Sequence, residues 1–156
     1  MKSRRQARET ALQALYQCDA LQDWSGQAID IFFSNFGPEE LESEAAESEM
    51  LEFSRALTLG TIQNLESIDR RIAEACRNWS LARMSRVDRN ILRLAAYEMA
   101  FVSEIPQKVS INEALEIAKR FGAPDSPNFI NGVLDKVASG IEAEQGPPAP
   151  LAAGIK

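Results

Sequence analysis

The chain has 156 residues, 45% of them hydrophobic and 26% charged, with no histidine and a formal net charge of −6. That length makes one domain, or two small ones sharing an interface, with enough apolar content to fold without a metal or disulfide staple. It lacks an apolar run of bilayer-spanning length, a histidine for acid–base chemistry, a metal-ligand cluster and any P-loop or GxGxxG pattern. It therefore reads as a binding protein, with no catalytic residues, no metal and no cofactor.

The net charge conceals segregation. Seven glutamates fall between positions 39 and 52 with no basic residue among them, and without them the chain carries a net +1. Lys2, Arg4, Arg5 and Arg8 open the sequence with no acid in their midst, and a second arginine-rich region runs from Arg70 to Arg93. Local basic surfaces thus coexist with an acidic total. Cys18 and Cys76 stand alone in helical patterns, which predicts two buried, unpaired thiols in a reducing compartment. The basic start has no apolar signal core, because Glu9, Gln13, Gln17 and Asp19 interrupt it, so a cytoplasmic protein is expected.

The helical period dominates throughout and predicts an all-α fold of about seven helices. The first runs from near Ser3 to Leu21, burying Ala7, Ala11, Ala14, Leu15 and Cys18, with Leu12 and Tyr16 beside them; Asp23, Ser25 and Gly26 end it. A short second helix carries Ile29, Phe32, Phe33 and Phe36 and stops at Gly37-Pro38. The glutamate-rich stretch is a solvated loop or helix entry. A long helix then spans positions 47–77, its buried stripe traced by Met50, Phe53, Leu57, Ile68 and Ile72. Gly60 costs about 1 kcal/mol relative to alanine inside a helix, and a close helix crossing accounts for it. Positions 79–84 form a hinge with one helical turn.

Three helix starts follow. Ser85-Arg86-Val87-Asp88 and Ser110-Ile111-Asn112-Glu113 both have capping-box form, in which a serine accepts from an orphan N–H and an acid reaches back. Asp125-Ser126-Pro127 combines short acceptors with a proline in the first turn. The predicted helices are 86–102, 111–121 and 126–139, with an extended break forced at Ile105-Pro106 and stops at Gly122 and Gly140. Gly-Pro-Pro-Ala-Pro composition predicts a disordered tail over 141–156. The expected division is an N-terminal helical unit with a basic arm at 1–79 and a C-terminal one at 80–140.

Cations in a helix's first turn oppose its macrodipole, so stability alone does not select Lys2, Arg4, Arg5 and Arg8. They read as a flexible arm, as contacts to an anionic partner, or as a merely solubilising basic start. In the loop 121–126, Asp125 or Ser126 is an N-cap and Phe121 and Phe129 are core on the local reading. On the functional reading, free N–H groups at the helix start meet a phosphate while Phe121 or Phe129 stacks on an unpaired base. Tyr16 and Trp79 fall at the buried phase, Asp88 and Glu113 serve as capping acids, and the arginines from Arg83 to Arg93 form a solvated face.

Several segments together resemble the NusB family of bacterial transcription antitermination factors. They are Arg4-Arg5-Gln6-Ala7-Arg8-Glu9 followed by Ala14-Leu15-Tyr16, the stretch 87–99, Ile105-Pro106 through Ala114, Ala118 to Gly122, and Asp125-Ser126 with 129–136. The resemblance implies two three-helix bundles and a protein that pairs with NusE, a small-subunit ribosomal protein. Together the two bind single-stranded boxA RNA and join the RNA polymerase antitermination complex, suppressing termination notably in ribosomal RNA operons. It further implies RNA contacts at Arg4, Arg5 and Arg8 with Lys2 nearby, and at Phe121, Asp125 and Phe129, with Asp88 at the partner surface. Gln6 departs from the pattern, standing where some members carry another arginine. Two alternatives stay open: a helical protein-interaction module, and an isolated domain of the kind fused to some RNA cytosine methyltransferases.

Overall fold

The computed structural model describes residues 2–35, 44–77 and 79–145, and among these every regular element is helical. Phe36, Gly37-Pro38, the start of the glutamate-rich stretch and positions 146–156 lie outside the described residues. The first helix, α1, spans Lys2–Leu21 and the second, α2, Gly26–Asn35. The face predicted for α1 is the buried one: Ala7, Ala11, Ala14 and Leu15 are sealed from solvent. Its small side chains let α3 (Glu44–Gln63) lie close along it. Across from those alanines α3 buries Ser54, Thr58 and Thr61. The two threonine hydroxyls donate back to Ser54 O and Leu57 O at 2.9 and 2.7 Å, so they enter the interior satisfied.

Gly60 has the steric role its position suggested. A Cβ there would overlap Cζ and Oη of Tyr97, so only glycine admits the ring. The single long helix expected over 47–77 is instead two. Asn64 leaves helical geometry at φ −115° and ψ 21°, and its side-chain amide donates to Gly60 O at 2.8 Å. Asn64 N–H shares that carbonyl at 3.2 Å and also reaches Thr61 O at 3.3 Å, a tightened last turn that closes the helix. A new helix, α4, then runs over Leu65–Ala75 and buries Ile68, Ile72 and Ala75.

A single 3₁₀ turn at Leu81–Arg83 leads to α5 (Arg86–Phe101). Ser85 caps α5 as predicted, accepting from Asp88 N–H at 3.0 Å. The next start is displaced: α6 spans Gln107–Phe121 with Pro106 at its N-cap. Ser110 lies a full turn inside, on the buried face it shares with Ala114, Ile117 and Ala118, so it caps nothing. The last helix, α7, covers Ser126–Gln145 and passes straight through Gly140. Burial of Ile141 and two hydrogen bonds from Arg71 to the Glu144 carboxylate (3.2 and 2.8 Å) hold the extra turn, so the predicted tail is helical to Gln145.

The principal core joins α4, α5, α6 and α7 and takes in Leu12 from α1. Smaller clusters gather Ala11, Leu15, Leu57 and Leu94, and Cys18, Ala28 and Ile29. Both cysteines are free thiols, Cys18 buried and Cys76 half-buried. Burial, with Asp23 and Asp19 nearby, pushes the Cys18 thiol above its ordinary value.

Candidate nucleic-acid interface

The basic start is helical from Lys2, and its four cations have different environments. The side chain of Lys2 lies outside the described residues. Arg4 is exposed, its guanidinium carbon 3.9 Å from the Phe53 ring centroid, which keeps the cation at the surface against an aromatic face. Arg5 is exposed and reaches across to α6, making two parallel 2.9 Å hydrogen bonds to Glu113. That hydrogen bonding, with the charges of Arg5 and Arg8, holds the Glu113 carboxyl below its ordinary value despite partial burial. Glu113 is therefore the docking acid for α1 rather than a capping acid.

Arg8 is only 5% exposed. It grips Glu98 of α5 through two hydrogen bonds of 2.8 and 3.0 Å, and Ser110 Oγ donates to the same carboxylate at 2.9 Å. A buried charge survives only when paired and hydrogen-bonded, and this one ties α1, α5 and α6 together. Arg8 thus points inward and braces the helix that displays Arg4 and Arg5.

The arginines predicted to form a solvated face divide likewise. Arg93 is buried, donating twice to Asp69 (2.8 and 3.0 Å) and also to Asp19 and Asn90 (3.2 and 3.0 Å). Arg89 donates to Asp19 and to Leu81 O, both at 2.9 Å. Burial pushes the Asp19 carboxyl up, but the hydrogen bonds of Arg89 and Asn90 and the charges of Arg89 and Arg93 outweigh it. Its pKa therefore lies below the usual carboxylate value. Sequence reasoning missed this network, although Asp19 lies four residues after the buried Leu15.

The elbow between α6 and α7 is built as tightly as a capped turn allows. Gly122 N–H donates to Ala118 O, Ala123 N–H to Ser126 Oγ, and Ser126 N–H to Ala123 O, all at 2.9 Å. Ser126 is buried, and a Cβ on Gly122 would come within 2.7 Å of it, which is why glycine stands there. The rigid turn leaves Asp125 exposed, Phe121 39% exposed, and Phe129 half-buried against the core. Arg120 stands 5.1 Å from the Phe121 ring centroid and donates to both carboxylate oxygens of Glu9 at 3.0 Å.

Two side-chain bridges, Arg5–Glu113 and Arg120–Glu9, therefore span from the first turns of α1 to α6. They lay the start of α1 along α6, with Glu9 held by Arg120 at the Phe121 elbow and Arg5 held at Glu113, about two turns before it. Next to them a groove of about 590 Å³ is lined by Glu9, Gln13, Tyr16, Leu21, Val87 and Phe121 among others. Tyr16 is 41% exposed there, with the Arg86 guanidinium 5.7 Å from its ring centroid, so it is a surface residue and not core. Trp79 is exposed as well. Asp88 follows Val87 at the start of α5; its Oδ1 is buried without a hydrogen-bond partner among the described residues. No metal-holding cluster occurs among the described residues, and no described helix is long and apolar enough to cross a membrane.

An all-α helical bundle with exposed cations at its first helix and an exposed aromatic elbow is the class of protein these features define. The NusB family model matches residues 5–139, and the chain belongs to the NusB family. A transcription antitermination protein NusB from Geotalea daltonii is 48% identical over 141 residues, covering 90% of this chain and 97% of its own. The solved structure of NusB from T. maritima is similar with a TM-score of 0.73 at 38% identity, covering 87% of this chain and 90% of that one. A structure of antitermination factors NusB and NusE in complex with dsRNA shares the fold, with a TM-score of 0.73 at 24% identity over 90% of this chain and 98% of that one.

Proposed function

We propose that this chain is a cytoplasmic RNA-binding transcription antitermination factor, without catalytic activity. It works with the ribosomal protein NusE on single-stranded boxA RNA and suppresses termination, notably in ribosomal RNA operons. The observation that carries the reading is the exposed Arg4 and Arg5 at the start of α1, which the Arg5–Glu113 and Arg120–Glu9 bridges lay along the helix that ends in the Phe121 elbow. Family membership supports it, as does a related NusB solved with NusE and RNA.

The cations attract the phosphate backbone and hold it in register, while Phe121 and Phe129 offer faces to unstacked bases and Asp125 accepts from base or ribose donors. Arg8 contributes by fixing the pitch of α1 from beneath. Three engaged cations (Lys2, Arg4 and Arg5) give a salt slope of about −2 for a single strand, against about −3 if Arg8 were also engaged. Tyr16, Val87 and Phe121 form an apolar seat next to Asp88, suited to the ribosomal protein, whose basic side chains would pair with the Asp88 carboxylate.

An RNA gel shift with and without the cognate NusE tests the reading. Retention of a boxA-like strand, strengthened cooperatively by NusE, is the expected result. A complex with NusE that retains no RNA would reduce the chain to a protein-interaction module.

A further inference from the structure

On the flank formed by α4 and α7 lies a second groove, of about 780 Å³, which shares only Phe129 with the interface described above. Its lining includes Arg77, Trp79, Asn128, Phe129 and Lys136, together with the Glu74 carboxylate. Trp79 is 46% exposed, an uncommon position for the largest aromatic side chain unless it meets something. Arg77 and Lys136 are exposed and form no ion pair among the described residues, whereas Arg71 at the same groove is taken up by Glu144. Gly132 and Gly140 also line it, and a Cβ at either would meet nothing within 4 Å, so the groove is open at both.

We infer that the α4–α7 groove is a second subsite for single-stranded RNA, taking nucleotides that flank those held at the elbow. The inference rests on the RNA-binding reading above and extends its footprint. Continuity is supplied by Phe129, which belongs to both the elbow and this groove. The chemistry suits a flexible polyanion: an exposed indole for a base to stack on, two unpaired cations for phosphates, and the Asn128 amide for a base edge.

Two labelled RNAs decide it, measured on the full chain with NusE present: a boxA-length strand, and the same strand with a uridine tract added at its 5′ or 3′ end. One of the two extensions is expected to tighten binding roughly tenfold, the effect of one stacked base. Trp79→Ala should erase that gain and leave the boxA-length strand unaffected. Arg77→Ala with Lys136→Ala should lower the salt slope of the extended strand by about 1.4, and Lys136→Arg should restore its share. Unchanged circular dichroism in the variants excludes unfolding as the cause. Tight binding of the boxA-length strand with no gain from either extension, or a gain that survives all the variants, overturns the groove alone. Failure of both strands to bind overturns the antitermination reading and the groove with it.

Discussion

Arg4 and Arg8 sit one helical turn apart on α1, yet one displays its charge to solvent and the other is sealed in the interior against Glu98. The same division separates Arg86 at the surface from Arg93 inside. The lesson is that arginine count along a sequence is not a measure of binding surface: helical phase decides. Arg8 lies three and four residues before the buried Ala11 and Leu12, and Glu98 lies four, three and seven residues after Leu94, Ala95 and Ile91. Both charges occupy core phases of their helices, so they can only be buried as partners.

Removing one member of that inner pair is the harshest way to expose the contrast. Glu98→Ala leaves Arg8 charged and unpaired in the interior and should cost about 3–5 kcal/mol, read from denaturant unfolding. Arg8→Met combined with Glu98→Leu should recover much of that loss, because it removes both charges together. A pair worth no more than a surface salt bridge would cost below about 1 kcal/mol and would return Arg8 to the list of available cations.

A milder effect is expected in acid. The Asp19 and Glu113 carboxyls both have folded pKa values below their unfolded ones. The stability they confer is present above the unfolded value near pH 4 and is lost as pH falls through the folded values. Asp19→Asn should flatten its part of that acid limb in a melting-temperature profile, whereas substitutions at exposed Arg4 should leave the profile unchanged.

Much of the helical order is legible in the residues, because capping serine, apolar period and proline all act locally. The Ser85 start and the Gly122 elbow follow from such local chemistry. The misreadings come from competition between a local signal and the tertiary environment. Ser110 and Glu113 match a capping box, yet positions 110, 114, 117 and 118 share one buried face, and Pro106 already starts the helix. Asn64 ends a helix whose apolar stripe continues past it, because its side-chain amide and its own N–H both fold back onto the last turn at Gly60 O. At the proposed site, Arg5 stands out by its place in a cation-rich first turn and Phe121 by its place in the loop, whereas Asp125 enters only through the family pattern. The bridges Arg5–Glu113 and Glu9–Arg120 join residues more than a hundred positions apart, and no local pattern encodes such a meeting. Tyr16 and Trp79 were assigned to the interior by phase alone, although aromatic residues with a polar tip lie readily at a wet edge.

The claim that surface cations beside the elbow, and not arginines in general, hold the RNA is tested most directly by the salt dependence of boxA-strand binding. In Arg4→Ala/Arg5→Ala the slope of log K against log salt should lose about 1.4 in magnitude, with stability lowered only by loss of the part-exposed Arg5–Glu113 pair, worth below about 1 kcal/mol. An unchanged slope in that double variant would contradict the account.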